Sequence, residues 1–514
     1  MTFLMKINID YTMKRYLILL FAGISFSAIN AQETTANDAL RLAVNNLTGT
    51  ARFVAMSGAF GAIGGDLSSI NVNPAGSIFF NNNFGTITGS NYNKKNNSNY
   101  FGTDTSASIN TLDLNQIGAV FIFKDYSSNS DWTKFSLAIN YENTNNFDDR
   151  VFSAGTNPSN SIGNYFLNFA QGIPRNILTS NNFGQLNFNE QQAYLGYNTY
   201  IFESQTANPN ETQYFTNVPI GGNYFQENTV NILGNNGKLT GNFSASYKNM
   251  ISFGVNLNSH FVNVSKTFSV FERNSNPLYT TGSTISQILF ENRLNTIGSG
   301  FSFNLGTIIR PNEKIRIGAS YESPTWFNLT DELTQGVATG SINNPDNISS
   351  PSSYQFPVIF LPYRIQTPGK WTSSFAYIFG KKGLISADVA MRDYSNTQFR
   401  PANDILYNGL NNFMNNNLQN AFEFRIGTEY RIKQYSLRAG YRYEQSPYKV
   451  EQTFGDLTGY SGGLGYSFGE NRIDLAYSYN HRNMNQAFLS SGMTDQARIN
   501  NQNNNITLSY SLNF

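Results

Sequence analysis

The sequence predicts an all-β protein: a transmembrane antiparallel β-barrel of about 14 strands, with a small, partly helical N-terminal segment inside its lumen. Three observations predict this fold class. The C-terminal segment alternates strictly between apolar and polar residues, the composition is rich in aromatic side chains but poor in charge, and the candidate strands are separated by gaps that are alternately short and long.

The last nine residues, ITLSYSLNF, have the period of two expected of a strand with one face in hydrocarbon and the other in water. Its apolar positions are Ile506, Leu508, Tyr510, Leu512 and Phe514. A free C-terminal aromatic residue resembles the recognition signal of bacterial outer-membrane barrels. The resemblance implies that the barrel assembly machinery recognises Phe514 and that outer-membrane lipids surround the mature protein.

The amino-acid composition also supports a membrane barrel and argues against several other classes of protein. Of 514 residues, 15% are aromatic, 13% are charged, 42 are glycine and none is cysteine. This is typical of a barrel with apolar outer walls and aromatic belts. The net charge of +1 argues against nucleic acid as a partner, because such proteins carry a clear basic excess. Without cysteine, a disulfide scaffold and a thiolate metal site are excluded, and no motif indicates a cofactor.

The N-terminus carries an export signal. Lys14 and Arg15 precede an apolar run at 16–29, which is followed by Asn30, Ala31 and Gln32. A basic flank, an apolar core and a small residue at the end predict a signal peptide at 1–31, cleaved after Ala31. The run is too short for a transmembrane helix, although a retained membrane anchor is the alternative.

Alternating segments recur from Phe84 onward and define a barrel domain at 83–514. Short gaps on one side and long gaps on the other are typical of outer-membrane barrels, with short periplasmic turns and long extracellular loops. The short gaps are 125–131, 249–250, 311–313, 381–383, 433–434 and 470–471. The long gaps are 94–112, 144–238, 272–290, 325–365, 399–420, 447–458 and 484–504.

Individual strands separate an apolar face from a charged face. In segment 435–444, Tyr435, Leu437 and Tyr441 alternate with Arg438 and Arg442. The apolar set must face lipid, because a charge at the bilayer midplane is costly. The charges therefore line the lumen, and two hypotheses follow for Arg425, Arg438 and Arg442. Either they form ion pairs within the wall and with the plug, or a planar guanidinium binds the carboxylate headgroup of a ligand.

Residues 32–82 do not alternate. Segment 38–47 has a helical pattern, and segment 51–65 is rich in glycine and other small residues. The residues Asn73, Pro74, Ala75 and Gly76 predict a turn. A lumen of about 14 strands would otherwise be an open aqueous channel. We therefore expect residues 32–82 to lie inside the barrel as a plug.

The stretch SGAFGAIGGDLSSINVNPAG at 57–76 resembles the hatch of FadL-like outer-membrane transporters, and Asn73, Pro74 and Ala75 match the family's NPA motif. Residues 320–331 and 367–395 resemble Bacteroidetes-type members. The resemblance implies a 14-stranded barrel with an N-terminal hatch. It also implies passive uptake of long-chain fatty acids and other hydrophobic molecules, with a lateral exit beside an inward-kinked early strand. By order along the chain, that strand is 132–143.

The sequence does not indicate an enzyme. Its two histidines are His260 and His481. Ser259 precedes His260, but adjacent strand residues point to opposite faces and cannot form a catalytic pair. His481 is expected at the extracellular rim. Acidic pairs at 148–149 and 331–332 are more typical of solvated loops than of a metal site.

The function predicted is a channel for passive uptake of hydrophobic molecules, gated by the hatch. Two apolar segments, 162–169 and 324–329, are candidates for a ligand-collecting groove, and packing of the loops against each other is the alternative. At the level of the whole protein, the alternatives are a surface adhesin or structural barrel and a porin for polar solutes.

Overall fold

The computed structural model describes residues 35–514, apart from residues 45, 126–129, 278, 280–283, 342–343, 350–357 and 451–452. The predicted signal peptide at 1–31 lies outside the described residues. In the part of the chain that is described, no helix is both long and apolar enough to cross a membrane.

Twenty-two strands are described, and twenty of them belong to one antiparallel sheet. They are β1 (Phe84–Tyr100), β2 (Thr103–Lys124), β3 (Trp132–Asn146), β4 (Asp149–Asn157), β5 (Phe202–Ser204), β6 (Tyr214–Thr216), β7 (Tyr224–Tyr247), β8 (Ile251–Asn274), β9 (Gln287–Ile309), β10 (Ile315–Glu322), β11 (Trp326–Ser341), β12 (Asn344–Ser349), β13 (Val358–Ile359), β14 (Tyr363–Gln366), β15 (Lys370–Ile378), β16 (Gly383–Asp393), β17 (Gln398–Arg400), β18 (Asn420–Ile432), β19 (Tyr435–Glu444), β20 (Phe454–Phe468), β21 (Asn471–Ala487) and β22 (Gln496–Asn513).

The sheet closes on itself. Ten strands are continuous, and four more wall positions are each formed by an interrupted pair: β3 with β4, β10 with β11, β14 with β15, and β16 with β17. The barrel therefore has 14 wall strands, which confirms the predicted fold class. It closes where β22 pairs with β1, from Phe84 opposite Asn513 to Asn99 opposite Arg498.

Seven helices are described: α1 (Ala36–Ala43), α2 (Ala51–Ala55), α3 (Ser69–Val72), α4 (Gly163–Ala170), α5 (Arg175–Ser180), α6 (Phe188–Asn198) and α7 (Ile405–Asn417). Short 3-10 helices span Pro74–Phe79, Phe183–Gln185 and Tyr394–Asn396. Helices α1 to α3 precede the first wall strand, and α4 to α6 lie in the loop between β4 and β7.

The predicted faces of the strands are confirmed. Tyr435 and Leu437 are exposed on the outer surface, whereas Arg438 and Arg442 are buried on the inner side. At the seam, inner hydroxyl groups pair across the two strands: Thr88 with Ser509 at 2.6 Å, and Ser90 with Thr507 at 3.0 Å. The small polar residues of the C-terminal segment therefore help to close the barrel.

The predicted long gaps are too wide. The 94–112 gap is almost entirely strand, because β1 and β2 are joined by a two-residue turn at Phe101 and Gly102. In the same way, the 144–238 gap reduces to a loop at 158–223, and part of the 325–365 gap is β11. The strands continue above the membrane, where neither face is apolar. Apolar alternation therefore ends before the strand does.

The third wall strand is interrupted. β3 extends to Asn146, three residues beyond the predicted 132–143, and the chain then continues as β4, which pairs with β7. The Nδ2 group of Asn96 in β1 donates to Asp149 Oδ1 and to Arg150 O, both at 2.7 Å. Because Asn96 is buried on the inner face of β1, β4 lies inside the β1–β2 hairpin. The ladder between β2 and β3 stops at Gln116.

Candidate functional site

The described part of the N-terminal segment, residues 35–82 apart from residue 45, lies against the inner faces of the wall strands. Its first helix, α1, is Ala36–Ala43, so the predicted helix at 38–47 is shifted by several residues. The shift has a local cause. Thr35 and Asp38 form a capping box, with Thr35 N donating to Asp38 Oδ2 at 3.0 Å, and this fixes the helix start.

The NPA motif docks against the wall where three neighbouring strands carry glycine. A Cβ atom on Gly254 of β8 would lie 2.3 Å from the Pro74 carbonyl carbon, and one on Gly306 of β9 would lie 2.1 Å from Asn73 Oδ1. On β10, a Cβ on Gly318 would lie 2.3 Å from Gly61 O. Three neighbouring strands therefore use glycine to let the hatch approach closely. We call these three residues the glycine seat.

Hydrogen bonds fix the motif in the glycine seat. Pro74 O accepts from Asn242 Nδ2 at 3.0 Å and from Ser244 Oγ at 2.8 Å. Asn73 Nδ2 donates to Gly61 O at 2.8 Å and to Thr307 O at 3.0 Å. Asn73 Oδ1 accepts from Ala75 N at 3.1 Å, which caps the 3-10 helix that begins at Pro74. The motif thus joins hatch and wall through backbone groups.

A buried ion-pair network joins the hatch to the opposite side of the wall. Arg52 Nε of α2 donates to Glu429 Oε2 at 2.8 Å. Arg438 Nε donates to the same oxygen at 2.8 Å, and Arg438 Nη1 donates to Asp474 Oδ1 at 2.9 Å. The side chain of Arg438 is 0% exposed. Of the three arginines predicted to bind a ligand, Arg438 is thus enclosed by carboxylates.

The other two predicted arginines line a cavity in the lumen, which we call the cationic cavity. Arg442 Nε donates to Glu423 Oε1 at 3.1 Å, and Arg425 pairs with the same carboxylate. Four cationic side chains and two carboxylates contribute to its lining: Lys370, Arg392, Arg425, Arg442, Glu423 and Glu444. Outside this lining, Glu322 pairs with Lys370 at 3.3 Å and with Arg392 at 3.6 Å. Four cations therefore face three carboxylates, and the remaining positive charge favours an anionic group.

Helix α1 occupies an apolar region of the lumen, which we call the apolar chamber. Its wall residues are Phe147, Val262, Val264, Phe327, Leu329, Tyr363, Ile365, Phe399, Tyr407, Met414, Leu418 and Tyr448. Ala39 and Leu40 of α1 are buried among them. At the N-terminal end of α1, Tyr448 donates its hydroxyl to Asn37 Oδ1 at 2.6 Å.

Charges also hold α1 in place. Asp38 Oδ1 lies 2.9 Å from Arg41 Nη1 and 3.5 Å from Lys266 Nζ of β8. Burial opposes ionisation of this carboxyl, but Lys266 and Arg41 outweigh it and hold the pKa of Asp38 well below its ordinary value. Asp38 is therefore a carboxylate, and its charge fastens α1 to the wall.

The apolar chamber and the cationic cavity adjoin each other. Tyr394 lines the cavity and also packs against the chamber. Arg392 donates to Ala43 O, the carbonyl of the last residue of α1. An apolar space next to a cluster of cations has the polarity needed to bind an amphipathic molecule. Helix α1 fills the apolar part of this space.

Helix α7 completes the wall above the short strands. β17 pairs with β14 on one side. On its other side, Phe399 N donates to Asn411 Oδ1 at 2.7 Å, and Asn411 Nδ2 donates to Phe399 O at 3.0 Å. One amide of α7 therefore substitutes for a partner strand. Tyr407 and Met414 of the same helix face the apolar chamber.

The two segments predicted to form a ligand-collecting groove are placed differently. Pro324–Leu329 is not a loop, because Trp326–Leu329 belongs to β11, and Phe327 and Leu329 point into the apolar chamber. In 162–169, Ile162, Tyr165 and Phe166 are buried in a core formed with the strand tops. These three residues therefore pack within the loop region, which is the alternative given for this segment, and do not form an open groove. Leu167 and Phe169 are only partly buried.

Comparison with known proteins identifies the chain. The family described as "Outer membrane protein transport protein (OMPP1/FadL/TodX)" has a model that matches residues 204–514, more than half of the sequence. The chain belongs to this family. Its members are outer-membrane transport channels for hydrophobic compounds, and the protein is therefore located in the outer membrane. No curated protein matches the sequence.

Two solved structures show the fold of this FadL/TodX-family member. A FadL homologue of Pseudomonas aeruginosa is similar, with a TM-score of 0.52 and 13% identity over 91% of this chain and 99% of that chain. The toluene transporter TodX of Pseudomonas putida is similar, with a TM-score of 0.50 and 15% identity over 92% of this chain and 100% of that chain. At these identities the likeness establishes the fold.

The two histidines of this family member lie on different strands, β8 and β21. His260 is buried, and its Nε2 lies 2.9 Å from Ser302 Oγ of β9 rather than contacting Ser259. His481 lies on β21, where its ring stacks on Tyr479 at 6.2 Å. Among the described residues, no cluster of histidine and acidic side chains has the arrangement of a metal site.

Sequence reasoning missed two members of the cationic cavity, Lys370 and Arg392. Both could have been found from the alternation of inward and outward residues along a strand. In β15, Lys370 lies on the same face as the inward Thr372 and Ser374, and in β16 Arg392 lies on the same face as the inward Asp388. The hatch–wall pair of Arg52 and Glu429 is different, because its partners are separated by 377 residues and the sequence carries no signal for it.

Proposed function

We propose that the chain takes up hydrophobic molecules passively, with long-chain fatty acids as the substrate class, and that the N-terminal hatch at 32–82 gates the route. One observation carries this proposal. Helix α1 fills an apolar chamber that adjoins a cationic cavity, so movement of α1 would expose a site with the polarity of a fatty acid.

The energetics favour such an exchange. Burying methylene groups stabilises a bound chain by about 0.8 kcal/mol each, so about ten methylenes would contribute on the order of 8 kcal/mol before ordering costs. The competing helix buries alanines and two leucines there, Leu40 and Leu42. A long alkyl chain can replace these contacts. A short polar solute cannot.

The headgroup would bind in the cationic cavity. We assign this role to Arg425 and Arg442 from the sequence prediction, and to Lys370 and Arg392 from the structure. A guanidinium can hold a carboxylate through two parallel hydrogen bonds. Arg438 does not line the cationic cavity and its side chain has no exposure, so we propose that it stabilises the hatch–wall network instead.

Three further proposals concern export, assembly in the membrane and exit of the substrate. We propose that residues 1–31 are removed on export, that the barrel at 83–514 is assembled through recognition of Phe514, and that outer-membrane lipids surround it. We propose that substrate leaves through the wall beside the break that follows Asn146, where β4 lies inside β2.

A neutral aromatic compound is the second candidate substrate. In the apolar chamber, the rings of Phe399 and Tyr407 stack at 5.5 Å, and Tyr363 lies 6.1 Å from both. Aromatic walls suit an aromatic ligand. TodX, which shares the fold, is a toluene transporter. Such a compound would use the chamber without the cationic cavity.

Binding of labelled oleate and labelled toluene to the purified protein tests the proposal. The variant K370Q/R392Q is compared with K381Q/K433Q, which removes two exposed cations from short turns of the same chain. We expect K370Q/R392Q to lose oleate affinity by at least about tenfold and the control to keep it. Unchanged oleate affinity would overturn the assignment of the headgroup site.

The same preparation separates the other functions. If toluene binds and oleate does not, the substrate is a neutral aromatic compound. If neither binds and liposomes containing the protein swell in sugar solutions, the chain is a porin.

A further inference from the structure

The outer surface near the seam marks the upper edge of the membrane. On β22, outward apolar residues run from Phe514 to Ile506. The eight residue steps between them span about 27 Å along a strand, or roughly 20 Å of height at the usual tilt of a barrel strand. This is close to the height of an outer-membrane apolar band. The outer boundary of the hydrocarbon therefore lies near the row of Ile506.

Above that row, the outward side chains of four neighbouring strands change from apolar to amide. The strands run in the order β2, β1, β22, β21, and the residues of each row are in register. The four rows above Ile506 are Asn110, Asn93, Asn504 and Tyr479; Ser108, Lys95, Gln502 and His481; Ser106, Asn97, Asn500 and Asn483; Asp104, Asn99, Arg498 and Asn485. We call this surface the amide face.

Hydrogen bonds between its side chains hold the amide face in order. Asn500 Nδ2 donates to Asn483 Oδ1 at 2.7 Å, and Gln502 Nε2 donates to Asn500 Oδ1 at 2.8 Å. At the lower edge, Tyr477 donates its hydroxyl to Asn504 Oδ1 at 2.7 Å. Amides both donate and accept, as sugar hydroxyl groups do. An ordered array of amides is therefore suited to contact with a sugar.

The charge of the amide face is positive. Lys95 and Arg498 are exposed, and neither has an ion-pair partner within 4 Å in the described part of the chain. The single acid in these rows, Asp104, accepts from Asn99 at 2.7 Å. Asp456, near the β21 edge of the face, is already bound by Tyr443 and Ser446. Two cations are thus free to contact an anion.

We propose that the amide face binds the phosphorylated sugar headgroup of the outer-leaflet glycolipid, lipopolysaccharide. Position and charge both support this occupant. The face begins at the upper edge of the apolar band, at the level of the sugar phosphates of a lipid whose acyl chains contact the outward residues below it. Lys95 and Arg498 complement the phosphates, and the amides complement the sugar hydroxyl groups. The lipid would lie across the seam where the barrel closes.

Native mass spectrometry of the full-length mature protein in detergent tests the proposal. The probes are Kdo2–lipid A, which is a phosphorylated glycolipid, the same lipid after removal of its phosphates, and a soluble polysaccharide. K95Q/R498Q is compared with R293Q/R364Q, which removes two exposed arginines from β9 and β14, outside the amide face. Unheated gel mobility verifies that each variant is a closed barrel.

We expect the wild type and R293Q/R364Q to form one-to-one adducts with the phosphorylated lipid. K95Q/R498Q should bind it about thirtyfold more weakly, and the dephosphorylated lipid should bind all three proteins weakly. Equal binding by K95Q/R498Q and the control would overturn the proposal. So would equal binding of both lipids to the wild type, or a preference for the soluble polysaccharide. None of these outcomes depends on fatty acid transport.

Discussion

We predict that a methyl group added at the glycine seat displaces the hatch from the wall. In the variant G254A, the new methyl group would lie 2.3 Å from Ala75 N and from the Pro74 carbonyl carbon. Both are backbone atoms of the hatch, so the clash cannot be relieved by rotation of a side chain. The hatch turn must move away from β8.

The magnitude follows from two contributions. Overpacking of a close contact costs about 1–3 kcal/mol. Movement of the turn also lengthens the hydrogen bonds from Asn242 and Ser244 to Pro74 O, each worth about 1 kcal/mol. The total is therefore at least about 3 kcal/mol, which would raise the population of undocked hatch by at least about a hundredfold.

Hydrogen–deuterium exchange measures that population directly. Peptides that cover 61–80 should exchange about a hundredfold faster in G254A than in the wild type, while peptides from β21 and β22 should be unchanged. The matched control is G241A on the neighbouring strand β7, where a Cβ meets nothing within 4 Å. The reasoning is refuted if G254A and G241A show the same exchange at 61–80.

Two further variants test the other contacts of the lumen. R52Q removes one partner of a buried ion pair with Glu429 and should loosen the hatch by about 3 kcal/mol, seen as faster exchange at 51–55; equal exchange in R52Q and R52K would contradict this. N411A leaves Phe399 N–H and C=O without the amide that closes the edge of β17, at a cost of about 2 kcal/mol. Proteolysis between 401 and 419 should therefore be faster in N411A than in the control N408A, and equal rates would count against a wall role for α7.

The sequence was most informative where lipid imposes a pattern. The alternation of Ile506, Leu508 and Tyr510 with small polar residues reports a strand face in hydrocarbon, and the same rule placed Arg438 and Arg442 in the lumen. The strand count followed from the same pattern. The boundaries did not, because above the membrane both faces of β1 and β2 are polar and alternation carries no apolar signal there.

The lumen was only partly predictable because its contacts join distant parts of the chain. The turn at Asn73 and Pro74 is visible in the sequence, but its partners Gly254, Gly306 and Gly318 lie on three strands far along the chain. The pairing of Arg52 with Glu429 depends equally on the closed barrel. Segment 324–329 was predicted to lie in a loop, whereas only residues 323–325 interrupt the wall between β10 and β11.

The most direct test of gating is a reversible covalent lock between hatch and wall. Ser77 Oγ and Ser136 Oγ are 2.8 Å apart, and the chain has no cysteine of its own, so S77C/S136C introduces one defined disulfide. Oleate uptake into cells is measured with the pair oxidised and then reduced. If the hatch must move, oxidised protein should take up no oleate and reduction should restore uptake. Full uptake by the oxidised protein would contradict gating by movement of the hatch as a whole.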